Sequence, residues 1–336
     1  MPFSNLEAFR TKLNDLPVQN STAASKASAR DATLTKPPGA LGILEELAVW
    51  GAGWQGHKPT INSPQIVIFA GNHGVCDRGI SAFPSEVTAQ MVANFENGGA
   101  AINQLAKAFG ASFSVHPMDL EKPTQDFTTE QAMSEAECVK ALNIGWNAVN
   151  RDADILVVGE MGIGNTTIAA ALATALFGGS GETWAGPGTG ISPDGISLKA
   201  AVIDEGILKH TNALSDPLAI LQCLGGRELA AMAGAILSAR FKSIPVILDG
   251  FVTCAAAAVL EKANPQALDH CVAGHVSAEP GHILLLQHLH KAPLLNLKMR
   301  LGEGSGAALA LGIIKGAFAT HNGMASFAEA GVSTKD

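Results

Sequence analysis

Three segments of the chain share a pattern that restricts the fold. In each, a short apolar run rich in β-branched residues ends in a glycine-containing loop, and a helical pattern follows. The runs are 65–70, 154–158 and 244–248, and weaker runs lie at 111–115 and 269–273. Apolar strands that alternate with helices are typical of a mostly parallel sheet with helices on both faces. We therefore predict an α/β fold with a Rossmann-like sheet, and ligand-binding loops at the carboxyl ends of its strands.

Helical spacing of apolar residues predicts the elements around the sheet. The predicted helices cover 6–13, 41–48, 87–95, 101–109, 168–177 and 251–260. Between the first two lie a polar Ser/Ala/Thr stretch, for which no helix is predicted, and a loop at 36–39. We expect residues 60–282 to form a large α/β nucleotide-binding domain. Residues 1–59 and 283–336 are expected to pack together as a small helical domain.

The charge balance limits the partners. The 336 residues include 22 Lys and Arg against 30 Asp and Glu, a net charge of −8, which argues against a nucleic-acid-binding surface. One small anionic ligand is still compatible with that balance, because backbone amides and a single lysine supply local positive potential. A small-molecule substrate is therefore the expected partner.

Cysteine usage and hydropathy favour a cytoplasmic protein. The five cysteines are scattered without a CxxC pair, as is usual for reduced proteins. The first residues lack the apolar stretch of a signal peptide. The most apolar helix, 168–177, is too short to cross a bilayer, so no membrane span is expected.

The segment 159–167, GEMGIGNTT, follows a strand and opens a helix. Free amide groups at a helix N-terminus are a common phosphate-binding site. The segment nearly matches the GxxxxGK[ST] loop, but Asn165 stands where the lysine that neutralises β- and γ-phosphates is required. We therefore predict a site for a monophosphate rather than for ATP. The alternative is a tight turn that binds nothing.

A second glycine-rich segment, 186–190, has the sequence GPGTG and is a weaker indication, because such segments are often plain loops. Lys199 follows it on a predicted helix. There its ammonium group either reaches the bound phosphate or is simply solvated, which is the usual position of a lysine.

Glu303 lies between glycines in the segment GEGSG, just before an apolar helix. Small neighbours let a ligand approach the carboxylate closely and leave it poorly solvated, which raises its pKa toward the range of a general base. An acidic residue near a helix N-terminus is also common for capping alone. Ser305 is not predicted to be a nucleophile, because the GxSxG pattern requires glycine at position 303.

Two polar segments resemble metal sites without matching one. Residues 274–282, GHVSAEPGH, contain two histidines and a glutamate, but Pro280 disfavours the continuous helix that an HExxH site requires. Residues 71–74 with Asp77 raise the same question. We expect no metal at either place, and interpret both as loops that orient backbone and ligand.

Taken together and in order, six segments resemble the nicotinate-nucleotide–dimethylbenzimidazole phosphoribosyltransferase family, and KPPGALGILEELA at 36–48 fits as well. The segments are IFAGNHGV, GISAFPSEVTAQMV, VGEMGIGNTT, PVILDGF, GHVSAEPGH and RLGEGSGAALAL. The resemblance implies an α/β domain with a small helical domain, in a homodimer. It also implies transfer of the 5-phosphoribosyl group of nicotinate mononucleotide to 5,6-dimethylbenzimidazole or a related base. No metal or redox cofactor is expected.

The resemblance also implies roles for individual residues. Glu303 corresponds to the catalytic carboxylate, which orients the base and accepts its proton. The residues implied to hold the phosphoribosyl group are Glu160, Gly162, Ile163, Gly164, Asn165, Thr166, Lys199 and Ser277. Those implied to line the base pocket are Ser81, Phe83, Gln90, Met91 and Leu301.

Two other functions are compatible with a phosphate loop. One is a P-loop-like phosphotransferase, which Asn165 in the lysine position argues against. The other is a regulatory module that binds a nucleotide monophosphate and needs no buried base. Replacing Glu303 by glutamine distinguishes this regulatory module from an enzyme, because the change is expected to leave the function of a binding module unaffected.

Overall fold

The computed structural model describes residues 2–333 and contains one six-stranded parallel sheet. Its strands have the order β2-β1-β3-β4-β5-β6, and each adjacent pair is parallel. The predicted α/β fold with a mostly parallel, helix-flanked sheet is confirmed. The strands are β1 Pro64–Ala70, β2 Ser112–Pro117, β3 Ile155–Met161, β4 Val246–Leu248, β5 Cys271–His275 and β6 Pro293–Leu295.

Helices cover both faces of this sheet. They are α1 Leu6–Asn14, α2 Ser21–Asp31, α3 Ile43–Gln55, α4 Glu86–Glu96, α5 Ala101–Phe109, α6 Glu135–Ala148, α7 Asn165–Phe177, α8 Gly181–Trp184, α9 Pro193–Lys209, α10 Pro217–Leu224, α11 Arg227–Phe241, α12 Phe251–Ala263, α13 Pro280–His288, α14 Ser305–Gly323 and α15 Phe327–Ala330. Within the described part of the chain, no helix has both the length and the apolar character that crossing a bilayer requires.

The side chains of β1 alternate between the two faces of the sheet, so they contact a different layer of helices on each side. Val67 and Phe69 belong to the larger apolar core, which also contains α6, α7, α11 and α12. Ile66 and Ile68 point to the opposite face, where α3, α5 and α14 pack. Since every residue of β1 is buried, the strand is apolar at every position except Gln65 and does not alternate between apolar and polar residues.

The structure contains several elements that the sequence analysis does not predict, among them α2, α6, α10, α11, α13 and β6. The polar stretch before residue 36 forms α2, because alanine is a strong helix former and Asn20 caps the first turn by accepting the Ala23 amide. Only Ala23 and Ala27 of α2 are buried, so no apolar stripe marks it. Strand β6 was also missed: it is a three-residue edge strand beginning with a proline, and its side chains are exposed or half-buried.

The terminal helices pack on one another and on the sheet. α2 packs on α3, and α3 packs on α14, but α14 also contacts β4 and β5. The division into a domain of 60–282 and a second of 1–59 with 283–336 therefore stays a prediction.

Candidate active site

A cavity opens where β3, β4 and β5 reach their carboxyl ends, the edge at which parallel sheets usually bind ligands. Its walls come from five segments that are far apart in sequence. They lie within 160–166, 188–189, 250–252, 275–279 and 300–302.

The loop between β3 and α7 forms one wall. Gly164 has φ of +82°, a left-handed conformation that favours glycine, and α7 begins at the next residue. The side-chain amide of Asn165 donates a hydrogen bond to the Glu160 carboxylate. Among the described residues, the backbone amides of Gly164 and Thr166 have no acceptor. These two N–H groups and the helix dipole form a position suited to an anion.

Lys199 of α9 lies directly beside this loop. Its ammonium group donates to the Thr166 hydroxyl at 2.8 Å and to the Gly186 carbonyl at 3.1 Å. The side chain is only 2% exposed, and burial lowers its pKa, while the nearby Glu279 carboxylate acts in the opposite direction. Lys199 is therefore buried beside the β3–α7 loop rather than solvated, and its contact with a bound phosphate stays a prediction.

Glu303 is held in an unusual backbone conformation. Its φ is +60°, and the flanking Gly302 and Gly304 have φ of +79° and +72°. The turn packs against β3 so closely that a Cβ on Gly159 would lie 2.5 Å from the Gly304 amide nitrogen. Because left-handed geometry is uncommon for a residue with a side chain, this conformation is a sign of a functional constraint.

The Glu303 carboxylate is 5% exposed, and its Oε2 has no hydrogen-bond partner among the described residues. Burial raises the pKa of Glu303 to about 7, and the nearby Asp249 carboxylate adds to the effect. A carboxylate with this pKa is suited to accept a proton near neutral pH. The neighbouring Leu301 and Gly302 line the cavity, whereas Glu303 itself is not part of its lining.

Glu160 is the second buried carboxyl group at this place, and it touches Gly302. Burial raises the pKa of Glu160 to about 8; the hydrogen bond from Asn165 opposes this, and the Asp249 carboxylate adds to it. At neutral pH the group is therefore mostly protonated. A neutral Glu160 repels a bound phosphate less than a carboxylate would.

Asp249, which follows β4, is a site residue that the sequence analysis missed. Its carboxylate accepts hydrogen bonds from the Ala307 amide at 2.8 Å and the Gly304 amide at 3.2 Å, and so caps α14. His275 Nε2 lies 3.5 Å from the same carboxylate. Burial raises the pKa of Asp249, and His275 and the backbone hydrogen bonds oppose this. The signal was available, because Asp249 directly follows β4 and Glu160 lies near the end of β3, which places both at the same edge of the sheet.

Two charged residues of the cavity wall were also missed. Both carboxylate oxygens of Glu279 are buried without a hydrogen-bond partner in the described residues, and burial raises its pKa. The guanidinium group of Arg300 donates to the Gly188 carbonyl at 3.1 Å. Both side chains line the cavity.

Ser277 lines the cavity as well, and His282 fixes its position. The Ser277 amide donates to His282 Nδ1 at 2.9 Å, so the neutral ring carries its proton on Nε2. Burial lowers the pKa of His282 to about 3. The histidine therefore holds the loop as a neutral acceptor, in keeping with the interpretation of this segment as one that orients backbone.

Comparison with known proteins identifies the family. A phosphoribosyltransferase family model matches residues 16–332. A nicotinate-nucleotide–dimethylbenzimidazole phosphoribosyltransferase from Jannaschia sp. (strain CCS1) is 60% identical over 98% of each chain. The chain belongs to this phosphoribosyltransferase family. A relative of the same name from Roseobacter denitrificans is 58% identical, again over 98% of each chain.

A solved structure agrees with this assignment. The phosphoribosyltransferase of that name from Thermus thermophilus superimposes with a TM-score of 0.88 at 38% identity, covering 94% of this chain and all of the other. The resemblance stated from the six sequence segments is confirmed, and with it the enzyme class, a pentosyltransferase. Neither a P-loop-like phosphotransferase nor a regulatory module is favoured any longer.

In this phosphoribosyltransferase, only one of the five predicted base-pocket residues lines the cavity. Leu301 lines the cavity, whereas its lining does not include Ser81, Phe83, Gln90 or Met91. Phe83 is 49% exposed. Their segment does touch the β3–α7 loop, because the Ile163 amide donates to the Thr88 hydroxyl at 3.2 Å. The role of these four residues in base binding stays a prediction.

Proposed function

We propose that this enzyme transfers the 5-phosphoribosyl group of nicotinate mononucleotide to 5,6-dimethylbenzimidazole or a related base. The products are nicotinate and α-ribazole 5′-phosphate, which supplies the lower ligand of cobalamin. The observation that carries the proposal is the buried Glu303 carboxylate, whose pKa is raised to about 7 and which adjoins the phosphate loop and the cavity.

The phosphoribosyl group binds at the β3–α7 loop. Its phosphate accepts hydrogen bonds from the amides of Gly164 and Thr166, and Lys199 supplies the positive charge. With Asn165 in place of a P-loop lysine, the loop neutralises one phosphate rather than a chain of them. Ser277 and Glu160 face the same cavity and orient the ribose.

Bond exchange occurs at the C1′ carbon of the ribose. A ring nitrogen of the benzimidazole forms the new bond as the bond to nicotinate breaks, and the electrons of the broken bond return to the pyridine nitrogen. C1′ passes through an oxocarbenium-like state. The other ring nitrogen of the benzimidazole loses its proton to Glu303. No step requires a metal or redox cofactor, because pyridinium nitrogen is already a good leaving group.

The test is turnover of the full-length protein with nicotinate mononucleotide and a panel of benzimidazoles, followed by nicotinate release. Glu303→Gln is expected to lower kcat by about 10²–10⁴-fold, with little change in the KM for the mononucleotide. Glu130→Gln, an exposed glutamate, is the matched control. Normal turnover by Glu303→Gln would refute the assigned role, and no nicotinate release with any base would refute the reaction.

The physiological acceptor is the least constrained part of the proposal. A methyl group in an apolar pocket discriminates by only about 1–3 kcal/mol, so related bases are expected to react. The panel above measures this directly through kcat/KM for each base.

We also propose that the enzyme works in the cytoplasm as a homodimer. The cysteines are unpaired throughout the described residues, which supports a reducing compartment. The dimer is carried over from the family resemblance. Sedimentation equilibrium at several protein concentrations tests it, and a single species of 34.5 kDa would contradict it.

A further inference from the structure

A second cavity, of about 700 Å³, lies between α2, the end of α3 and the end of α14. We call it the α2–α14 cavity. Its ionisable lining residues are Lys26, Arg30, His57, Lys58 and His321, and no described aspartate or glutamate lines it. In a chain with a net charge of −8, this is a local concentration of positive charge.

This cavity is separate from the candidate active site. The two share no lining residue among those described. Ser305 begins α14 beside Glu303, and His321 lies near the other end of the same helix. At a rise of about 1.5 Å per residue, the two positions are about 24 Å apart.

Two carbonyl groups at or near the α2–α14 cavity already accept hydrogen bonds within the protein. The Gly53 carbonyl accepts from the Asn20 amide at 2.8 Å. The Pro59 carbonyl accepts from the side-chain amide of Asn322 at 2.7 Å. Arg30 also has partners, because it donates to the last carbonyls of α14, including that of His321 at 3.0 Å. The side-chain oxygen of Asn322 is buried without a partner among the described residues, but Asn322 does not line the cavity.

Several cationic or polar groups of the lining, in contrast, have no partner in the described part of the chain. Lys26 and Lys58 are exposed and make no ion pair with any described residue. Thr22 lies in the first turn of α2, at the positive end of the helix dipole. His321 is only 4% exposed, yet its Nδ1 has no hydrogen-bond partner among the described residues. A buried polar atom without a partner indicates that a ligand or water completes the site.

We propose that the α2–α14 cavity binds a small organic phosphate, a phosphomonoester distinct from the substrate at the candidate active site. Its dianionic group lies between Lys26, Lys58 and the first turn of α2. Two free lysines balance the charge of a dianion, whereas a singly charged carboxylate would need only one of them. The organic part packs on an apolar floor, to which Ala23, Ala27 and Pro59 contribute. This inference does not rest on the proposed function.

Isothermal titration of the full-length protein with phenyl phosphate tests the proposal. We expect two binding sites, one here and one at the β3–α7 loop. The double variant Lys26→Gln/Lys58→Gln is expected to weaken one of them by about tenfold or more, and to leave nicotinate release unchanged. Lys199→Met is expected to weaken only the other.

A matched double variant separates this site from general electrostatics. Lys107→Gln/Lys209→Gln removes two exposed lysines from α5 and α9 and is expected to retain both sites. Equal weakening by both double variants would overturn the proposal. So would a single site that Lys199→Met removes, or benzoate binding at the Lys26–Lys58 site as tightly as phenyl phosphate. Because turnover is measured separately, failure here is distinguishable from failure of the proposed reaction.

Discussion

The raised pKa of Glu303 predicts that its carboxylate destabilises the folded enzyme at high pH. Its pKa is about 7 in the folded protein, against an ordinary value of 4.5 for an unfolded chain. Below pH 4.5 the group is protonated in both states. Between these values the folded state keeps a proton that the unfolded state has lost, so the free energy of unfolding falls as pH rises.

The magnitude follows from the same two values. A pKa that differs by about 2.5 between the folded and unfolded states corresponds to about 3 kcal/mol once the pH exceeds both. Glutamine at position 303 does not titrate and carries no such penalty. Relative to the wild type, Glu303→Gln is therefore expected to be more stable at pH 8 than at pH 5, by up to about 3 kcal/mol.

Chemical denaturation of both proteins at pH 5 and pH 8 measures this difference. Comparing the two pH values cancels whatever glutamine changes in packing or hydrogen bonding, since those effects are present at both. Glu130→Gln, at an exposed position, is expected to show no comparable pH dependence. If the stability difference between Glu303→Gln and the wild type is the same at both pH values, the carboxylate does not have a raised pKa, and the argument for a general base fails.

Further substitutions test other parts of the site. Lys199→Met is expected to raise the KM for nicotinate mononucleotide at least about tenfold, because a charged hydrogen bond is lost; steady-state kinetics measures it. Glu228→Ala removes the carboxylate that lies 2.8 Å from His73 Nε2 in a fully buried pair, and is expected to cost about 1–3 kcal/mol of unfolding free energy because the buried imidazole loses its polar neighbour, which chemical denaturation measures. Gly159→Ala is expected to cost about 1–3 kcal/mol and to lower kcat, because the new methyl displaces the Glu303 turn; an unchanged kcat would contradict this.

Much of the fold could be predicted from the sequence because the strands carry their own pattern. β1, β3 and β4 are buried on both faces, so their sequences are apolar apart from Gln65 in β1 and Gly159 and Glu160 near the end of β3, and polar loops follow them. α2 and β6 lack such a pattern. α2 buries two alanines, and β6 is an edge strand with no fully buried residue. Where burial is small, hydrophobic periodicity contains no information.

The site residues also differ in how clearly the local sequence marks them. Glu160, Asn165 and Glu303 stand in glycine-rich segments, which marks them in the sequence. Asp249 has no such context, and its importance comes from hydrogen bonds to the amides of Gly304 and Ala307, more than fifty residues later. A contact of that range is fixed by the tertiary structure alone.

Glycine-rich loops are themselves ambiguous, and the structure shows why. Gly162 belongs to the predicted phosphate loop, yet a Cβ there would lie 2.9 Å from the Gly71 carbonyl, so packing between loops already excludes a side chain. Gly190 has open space around it and needs glycine only for its φ of +116°. Glycine alone therefore does not distinguish a ligand-binding loop from a packed one. Buried groups without partners do distinguish them, because their desolvation is offset only when a ligand binds. By that criterion the Glu303 and Glu279 carboxylates indicate a binding site here more strongly than any glycine motif.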